Sequence, residues 1–236
     1  MTDHGLPEVP DEQATAEIGS ELIASFDSGE PLEVSQLYAG VRRLLDTTTS
    51  DGRRVGDCKH GVYLFVDYDG EPIYVGQTRE KLRTRIRRHL TNQRTDAVAM
   101  RVLDPFEVAE IEMWPFWELD GLPQSEIKET LQKAEFTVYQ AALDESQFNA
   151  VLNEGEIPAA DMIALPESVR GTILPVGSRR QREHPDIRLA RRARTIADLA
   201  RVISERRVSV GIRRTLWVQA QRLEVLAKNR LDEFLD

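Results

Sequence analysis

The chain has 236 residues, with 31 Lys and Arg against 40 Asp and Glu, a formal net charge of −9. That balance excludes a protein that coats nucleic acid by bulk positive charge, and no run approaches the ~20 apolar residues of a spanning helix, so no membrane partner is expected. The acidic start, MTDHGLPEVPDEQ, lacks the basic and apolar regions of a signal peptide, and the single cysteine, Cys58, excludes an internal disulfide framework. A cytoplasmic setting is expected.

Charge is unevenly spread. Residues 1–165 carry 15 basic and 31 acidic side chains, whereas residues 166–236 carry 16 basic (15 of them Arg) and 9 acidic. A basic C-terminal third of this kind suits either a solvated arginine-rich helix surface or a face turned toward a polyanion.

In chain order, residues 1–33 contain Pro7, Pro10 and Pro31 and read as an acidic, mobile tail. Residues 34–57 read as a helix, with Leu37, Val41 and Leu44 on one face, followed by a polar connector. From Gly61 two β-prone runs, Val62–Val66 and Pro72–Val75, flank Asp69-Gly70, a hairpin signal. Thr78 reads as the N-cap of a helix bearing Leu82, Ile86 and Leu90. Ala109, Ile111 and Met113 alternate with Glu110, Glu112 and Trp114, predicting a third strand; Ile127, Leu131, Ala134, Val138 and Ala141 predict a second helix, with Ser125 a candidate N-cap. Two further helices follow, with apolar stripes Leu189, Ala193, Ile196, Ala200, Ile203 and Ile212, Leu216, Ala220, Leu223, Ala227, Leu231, Phe234; Gly211 suits their junction. These elements predict an α/β fold: a small three-stranded antiparallel sheet flanked by helices, then a C-terminal helical hairpin.

Several polar residues stand at the rims of these elements. Tyr63 and Tyr74 lie on the two hairpin strands and can face one cleft. Arg85 and His89 are i, i+4 on the first sheet helix, and Glu135 borders the buried face of the second, where a carboxylate needs a partner or a cation. Each alone has an ordinary structural explanation. Cys58 and His60 lack the further ligands of a zinc site, and Trp114, Phe116 and Trp117 read as packing residues.

Taken together they resemble the GIY-YIG nuclease family. Gly61-Val62-Tyr63 stands as its GIY element and Tyr74-Val75-Gly76 as its YIG element. Leu82-x-x-Arg85-x-x-x-His89 matches the helix motif, Ala134-Glu135 the metal-binding glutamate, and Phe148-Asn149-x-x-Leu152 resembles the asparagine motif, with Asn153 a rival to Asn149. The likeness spans about residues 58–153 and places a nuclease domain at residues 58–160, before a basic helical region at 161–236. It implies hydrolysis of DNA phosphodiesters with one divalent cation, Mg²⁺ or Mn²⁺, held by Glu135, with Tyr63, Tyr74, Arg85, His89 and Asn149 as catalytic residues. Gln77, Arg83, Arg87 and Arg88, with Arg179, Arg180, Arg191 and Arg192 further on, are the candidates for nucleic-acid contact. A homodimer through the C-terminal helices is a further expectation. The alternatives are a catalytically silent DNA-binding protein of the same fold, and a partner-binding protein acting through its last helices.

Overall fold

The computed structural model describes residues 31–91, 104–153 and 155–235; the expected acidic tail falls almost entirely outside them. Helix α1 (Leu32–Leu45) precedes strands β1 (Gly61–Val66) and β2 (Pro72–Thr78) and helix α2 (Leu82–Thr91). Strand β3 (Glu110–Pro115), helix α3 (Gln124–Glu145) and strand β4 (Val169–Thr172) follow. Helices α4 (Val176–Arg182), α5 (Pro185–Glu205) and α6 (Val210–Asp232) end the chain. No helix of the described residues is long and apolar enough to cross a membrane.

The sheet has four antiparallel strands in the order β2-β1-β3-β4, not the expected three. Strand β4 escapes the sequence reading because VRGT is short, contains glycine and presents an arginine, the signature of an edge strand. Alternation along β1 sorts the core into two layers. Tyr63 and Phe65 face α1 and α2, with Leu37, Val41, Leu82 and Ile86; Val62, Leu64 and Val66 face α3, with Ile127, Leu131 and Val138. At Gly40 the helix α1 presses so close to the chain after β4 that a β-carbon would collide with the Ile173 carbonyl. Residues 34–57 are thus built into the domain.

The C-terminal hairpin is also built in, but not through the expected stripe. Helix α5 buries Arg188, Arg192, Thr195, Leu199 and Val202, and α6 buries Ile212, Thr215, Val218, Arg222 and Leu226. On α5 this face is rotated one residue from Leu189-Ala193-Ile196-Ala200-Ile203. The cause is electrostatic. Asp67, Asp69 and Glu71 form the β1–β2 turn, where Gly70 takes φ 80° and the Asp67 Oδ1 accepts the amides of Asp69 and Glu71. Arg188 forks onto both Asp69 oxygens at 2.5 and 2.7 Å, and Arg192 reaches Asp67 at 2.8 Å and Asp69 at 2.9 Å. From α6, Arg222 reaches Glu71 at 3.3 Å and donates to the carbonyls of Pro72 and Ala150. Glu107 joins at 3.5 Å from Arg188, and burial pushes its carboxyl up to about 7.

Arg192 therefore does not face a nucleic acid, a correction to the sequence expectation: it is 3 % exposed and committed to carboxylates. Arg191 lies 3.9 Å from both Glu33 and Glu107, and Arg179 pairs with Glu110 and Glu183, whereas Arg180 is exposed. Removing one partner from a buried charge cluster leaves an uncompensated ion and typically costs about 3–5 kcal/mol. Arg222→Ala is expected to lower unfolding stability by that order, read by urea denaturation. Exposed Arg180→Ala is expected to change it by less than about 0.5 kcal/mol.

Candidate active site

The site lies at the end of the sheet opposite the acidic turn. Tyr63 pairs with Gly76 across β1 and β2, and Phe65 pairs with Tyr74, so both phenols project from one face of the sheet. Their rings stack with centroids 6.3 Å apart. Gly76 makes room for them: a β-carbon there would lie 2.5 Å from the Tyr63 hydroxyl and 2.9 Å from the Tyr74 ring.

Helix α2 places Arg85 and His89 over this face, because Leu82, Ile86 and Leu90 fasten its opposite side into the core. The Arg85 Nε donates to the Tyr63 oxygen at 3.2 Å, and the Tyr63 hydroxyl meets the His89 Nε2 at 2.8 Å. The His89 ring also packs on Tyr74, centroids 5.1 Å apart. Burial works against the Arg85 charge, but Tyr63, with Tyr74 and Glu80, offsets it and the guanidinium is held above its ordinary range. Burial, helped by Arg85 and Arg88, pushes His89 down to about 3, so its imidazole is neutral near pH 7.

Glu135 comes from α3 on the other face and reaches the same rim around the end of β2. Gln77 Nε2 donates to Glu135 Oε2 at 2.9 Å, tying helix to strand. Burial pushes the Glu135 carboxyl above its ordinary range, against the Gln77 hydrogen bond and the pull of Arg85. Beside this link opens a cleft of about 420 Å³, lined by Gln77, Arg79, Arg85, Lys128 and Gln132 among others. Lys128 and Gln132 are absent from the sequence-based candidates. On α3, Lys128, Gln132 and Glu135 follow one another at i, i+4 and i+7, a spacing that marks a shared helix face once Glu135 is singled out.

Not every candidate joins the site. Asn149 is exposed in the turn after α3, with φ 46°, a conformation asparagine tolerates better than most residues. Asn153 instead docks on the site's strand, donating to the Val75 carbonyl at 2.8 Å and accepting the Val75 amide at 3.1 Å. Arg83 is tied to Asp46 at 2.6 Å and Arg88 to Glu80 at 2.7 Å, while Arg87 is exposed on α2. Thr78 ends β2 and turns the chain through hydrogen bonds with Glu80, rather than capping α2.

Residues 59–119 match the GIY-YIG catalytic domain. The match covers 61 of the 236 residues and takes in both tyrosines, Arg85 and His89. GIY-YIG domains are generally endonucleases, so the match suggests a nuclease-type function. No match was found among curated proteins or solved structures.

The residues present fit a single hard cation. No cluster of three or more His, Cys, Asp or Glu side chains able to hold a metal occurs among the described residues. One half-buried carboxylate, raised by desolvation and given one amide hydrogen bond, suits an ion such as Mg²⁺ that retains several waters.

His89 makes the site acid-sensitive. Its folded pKa lies below the unfolded 6.5, so between pH 6.5 and about 3 the unfolded chain binds the extra proton. The stability contributed by the neutral ring is complete above pH 6.5 and declines as pH falls through that window. The imidazole NMR signals of His89 are expected to stay in the neutral form at pH 5. Titration near 6.5 would refute the buried neutral assignment.

Proposed function

We propose that the protein is a divalent-cation-dependent endonuclease that hydrolyses DNA phosphodiester bonds at the cleft formed by β1, β2, α2 and α3. The observation that carries this reading is the convergence of Arg85, Tyr63 and His89 with Glu135, from opposite faces of the sheet, on the rim where Gln77 links β2 to α3. When bound, the cation supplies charge neutralisation of the phosphoryl oxygens; Glu135 holds it.

Arg85 has two roles. Its position on the cleft wall lets the guanidinium meet the negative charge that builds on phosphate during in-line attack, and its Nε stabilises a phenolate at Tyr63. That phenolate takes the proton of the attacking water as the new P–O bond forms and the bond to the leaving oxygen breaks, the alkoxide so released taking its proton from bulk water. His89, held neutral, is a hydrogen-bond partner for the Tyr63 hydroxyl. Tyr74 fixes the His89 and Tyr63 rings by packing. Gln77 is a positioning residue, holding one Glu135 oxygen, and Asn153 keeps β2 in register beneath it. Lys128 and Arg79 add positive charge to the cleft mouth. DNA is the expected substrate.

Purified protein incubated with linear, supercoiled and branched DNA is expected to cleave with Mg²⁺ or Mn²⁺ and not in EDTA. Glu135→Gln and Arg85→Ala are each expected to reduce the rate by at least about 10²-fold, the scale of losing one preorganised charge stabiliser. Circular dichroism is expected to show the fold retained. Undiminished cleavage by both variants would overturn the assignment; metal-independent binding with no cleavage would favour the catalytically silent alternative.

A further inference from the structure

The arginines of the C-terminal hairpin divide into two groups by position. Arg188 and Arg192 of α5 and Arg222 of α6 are turned inward onto the acidic turn, whereas Arg194 is exposed. Those around the α5–α6 junction are turned outward: Arg201, Arg206, Arg207, Arg213 and Arg214 are all exposed, and only one acidic residue, Glu205, lies between 201 and 214. Arg206, Arg207 and Arg213 have no carboxylate within 4.0 Å among the described residues. Arg214 has one weak pair, 3.8 Å from Glu156, with both side chains largely in solvent. Trp217 stands 62 % exposed on the same face of α6, one turn beyond Arg213 and Arg214.

The fold puts this junction beside the cleft. The chain at 150–153 runs along the open edge of β2, with Leu152 donating to Ile73 and Asn153 clasping Val75. Helix α6 lies outside that segment. Arg222 is anchored at Pro72, at the turn end of β2; Arg214, eight residues earlier, stands about 12 Å along the helix. There Gly211, Arg214 and Thr215 share a small cavity with Asn153, Glu156 and Tyr139. Tyr139 is one turn of α3 past Glu135, and Asn153 holds the strand two residues before Gln77. Lys128, Gln132 and Glu135 thus continue along α3 toward Arg214.

We infer that the α5–α6 junction, through Arg206, Arg207, Arg213 and Arg214, is a DNA-backbone contact surface that extends the catalytic cleft and holds the duplex on the β2 edge side. This rests on the nuclease reading of the cleft. The partner is recognised by charge: exposed guanidiniums present planar forks to successive phosphates. The exposed indole beside them offers a face to the sugar or a base edge without sequence preference.

The test is binding of the full-length chain to a fluorescently labelled DNA duplex in EDTA, by anisotropy, over a series of salt concentrations. Each phosphate contact contributes about 0.9 to the slope of log affinity against log salt. The double variants Arg206→Gln/Arg207→Gln and Arg213→Gln/Arg214→Gln are each expected to reduce that slope by about 1.8 and to weaken binding equally on unrelated sequences. Arg42→Gln/Arg43→Gln, on the exposed side of α1, removes the same charge and is expected to leave the slope unchanged. Melting temperatures equal to the parent's confirm folding. Unchanged slopes in both junction variants, or equal effects from the α1 pair, overturn the inference. So does a change in light-scattering mass with unchanged slopes, which would make this face a contact between copies. Because no cleavage is measured, a nuclease-inactive protein with junction-dependent binding fails only the catalytic reading; active cleavage with junction-independent binding fails only this one.

Discussion

Three arginines from the last two helices, Arg188, Arg192 and Arg222, enter the protein to meet four acidic side chains, Asp67, Asp69, Glu71 and Glu107. Removing such groups from water is costly, and the attraction between them offsets the cost only where geometry and additional hydrogen bonds are good. Most of the cluster meets that condition: Arg188 is bidentate on Asp69, Asp67 accepts two backbone amides as well as Arg192, and Arg222 donates to two carbonyls, while Arg222 Nε and one Glu107 oxygen have no hydrogen-bond partner among the described residues. The return is uniqueness of arrangement. A purely apolar contact would tolerate a rotated or slipped hairpin; a cluster of buried charges accepts one register.

That register fixes the site at a distance. Since Arg222 is pinned at the Glu71–Pro72 corner, α6 runs along the segment that borders β2, and the segment delivers Asn153 to Val75. Strand β2 is thereby held on both edges, by β1 and by Asn153, in the stretch that carries Tyr74, Gly76 and Gln77. The chemistry needs that rigidity. Tyr63 and Tyr74 stack only because Gly76 has no side chain, and the Gln77–Glu135 hydrogen bond exists only while β2 and α3 keep their spacing.

Much of this was legible in the sequence, and the illegible parts share a cause. The hairpin, the third strand and the two sheet helices follow from local periodicity and from Asp69-Gly70, and Tyr63, Arg85, His89 and Glu135 follow from an ordered motif. Strand β4 is too short to carry a period. The exposed Asn149 and the docked Asn153 differ by four residues, and only the path of the chain after α3 separates them. The seam of α5 could not be placed because hydropathy ranks Leu189 above Arg188, whereas the acidic turn some 120 positions earlier reverses that order. Likewise Gln77 has no signature of its own until Glu135 is beside it.

The same reasoning recasts the charge of the C-terminal third. A count of arginines cannot distinguish one that neutralises a carboxylate from one that meets a phosphate, but helix geometry can. Arg188 and Arg192 sit within the first turns of α5, against the acidic corner; Arg201 stands about 14 Å beyond Arg192 along the helix, at 1.5 Å per residue, and Arg206 and Arg207 lie farther on. That distance exceeds the roughly 8 Å screening length at physiological salt, so the carboxylates of the corner have little influence on the far arginines. The turn therefore consumes the positive charge of one end of the hairpin and leaves that of the other end outward. A chain of net charge −9 can in this way present a basic face at the far end of its C-terminal hairpin, because the four carboxylates that pair with Arg188, Arg192 and Arg222 gather at the acidic turn.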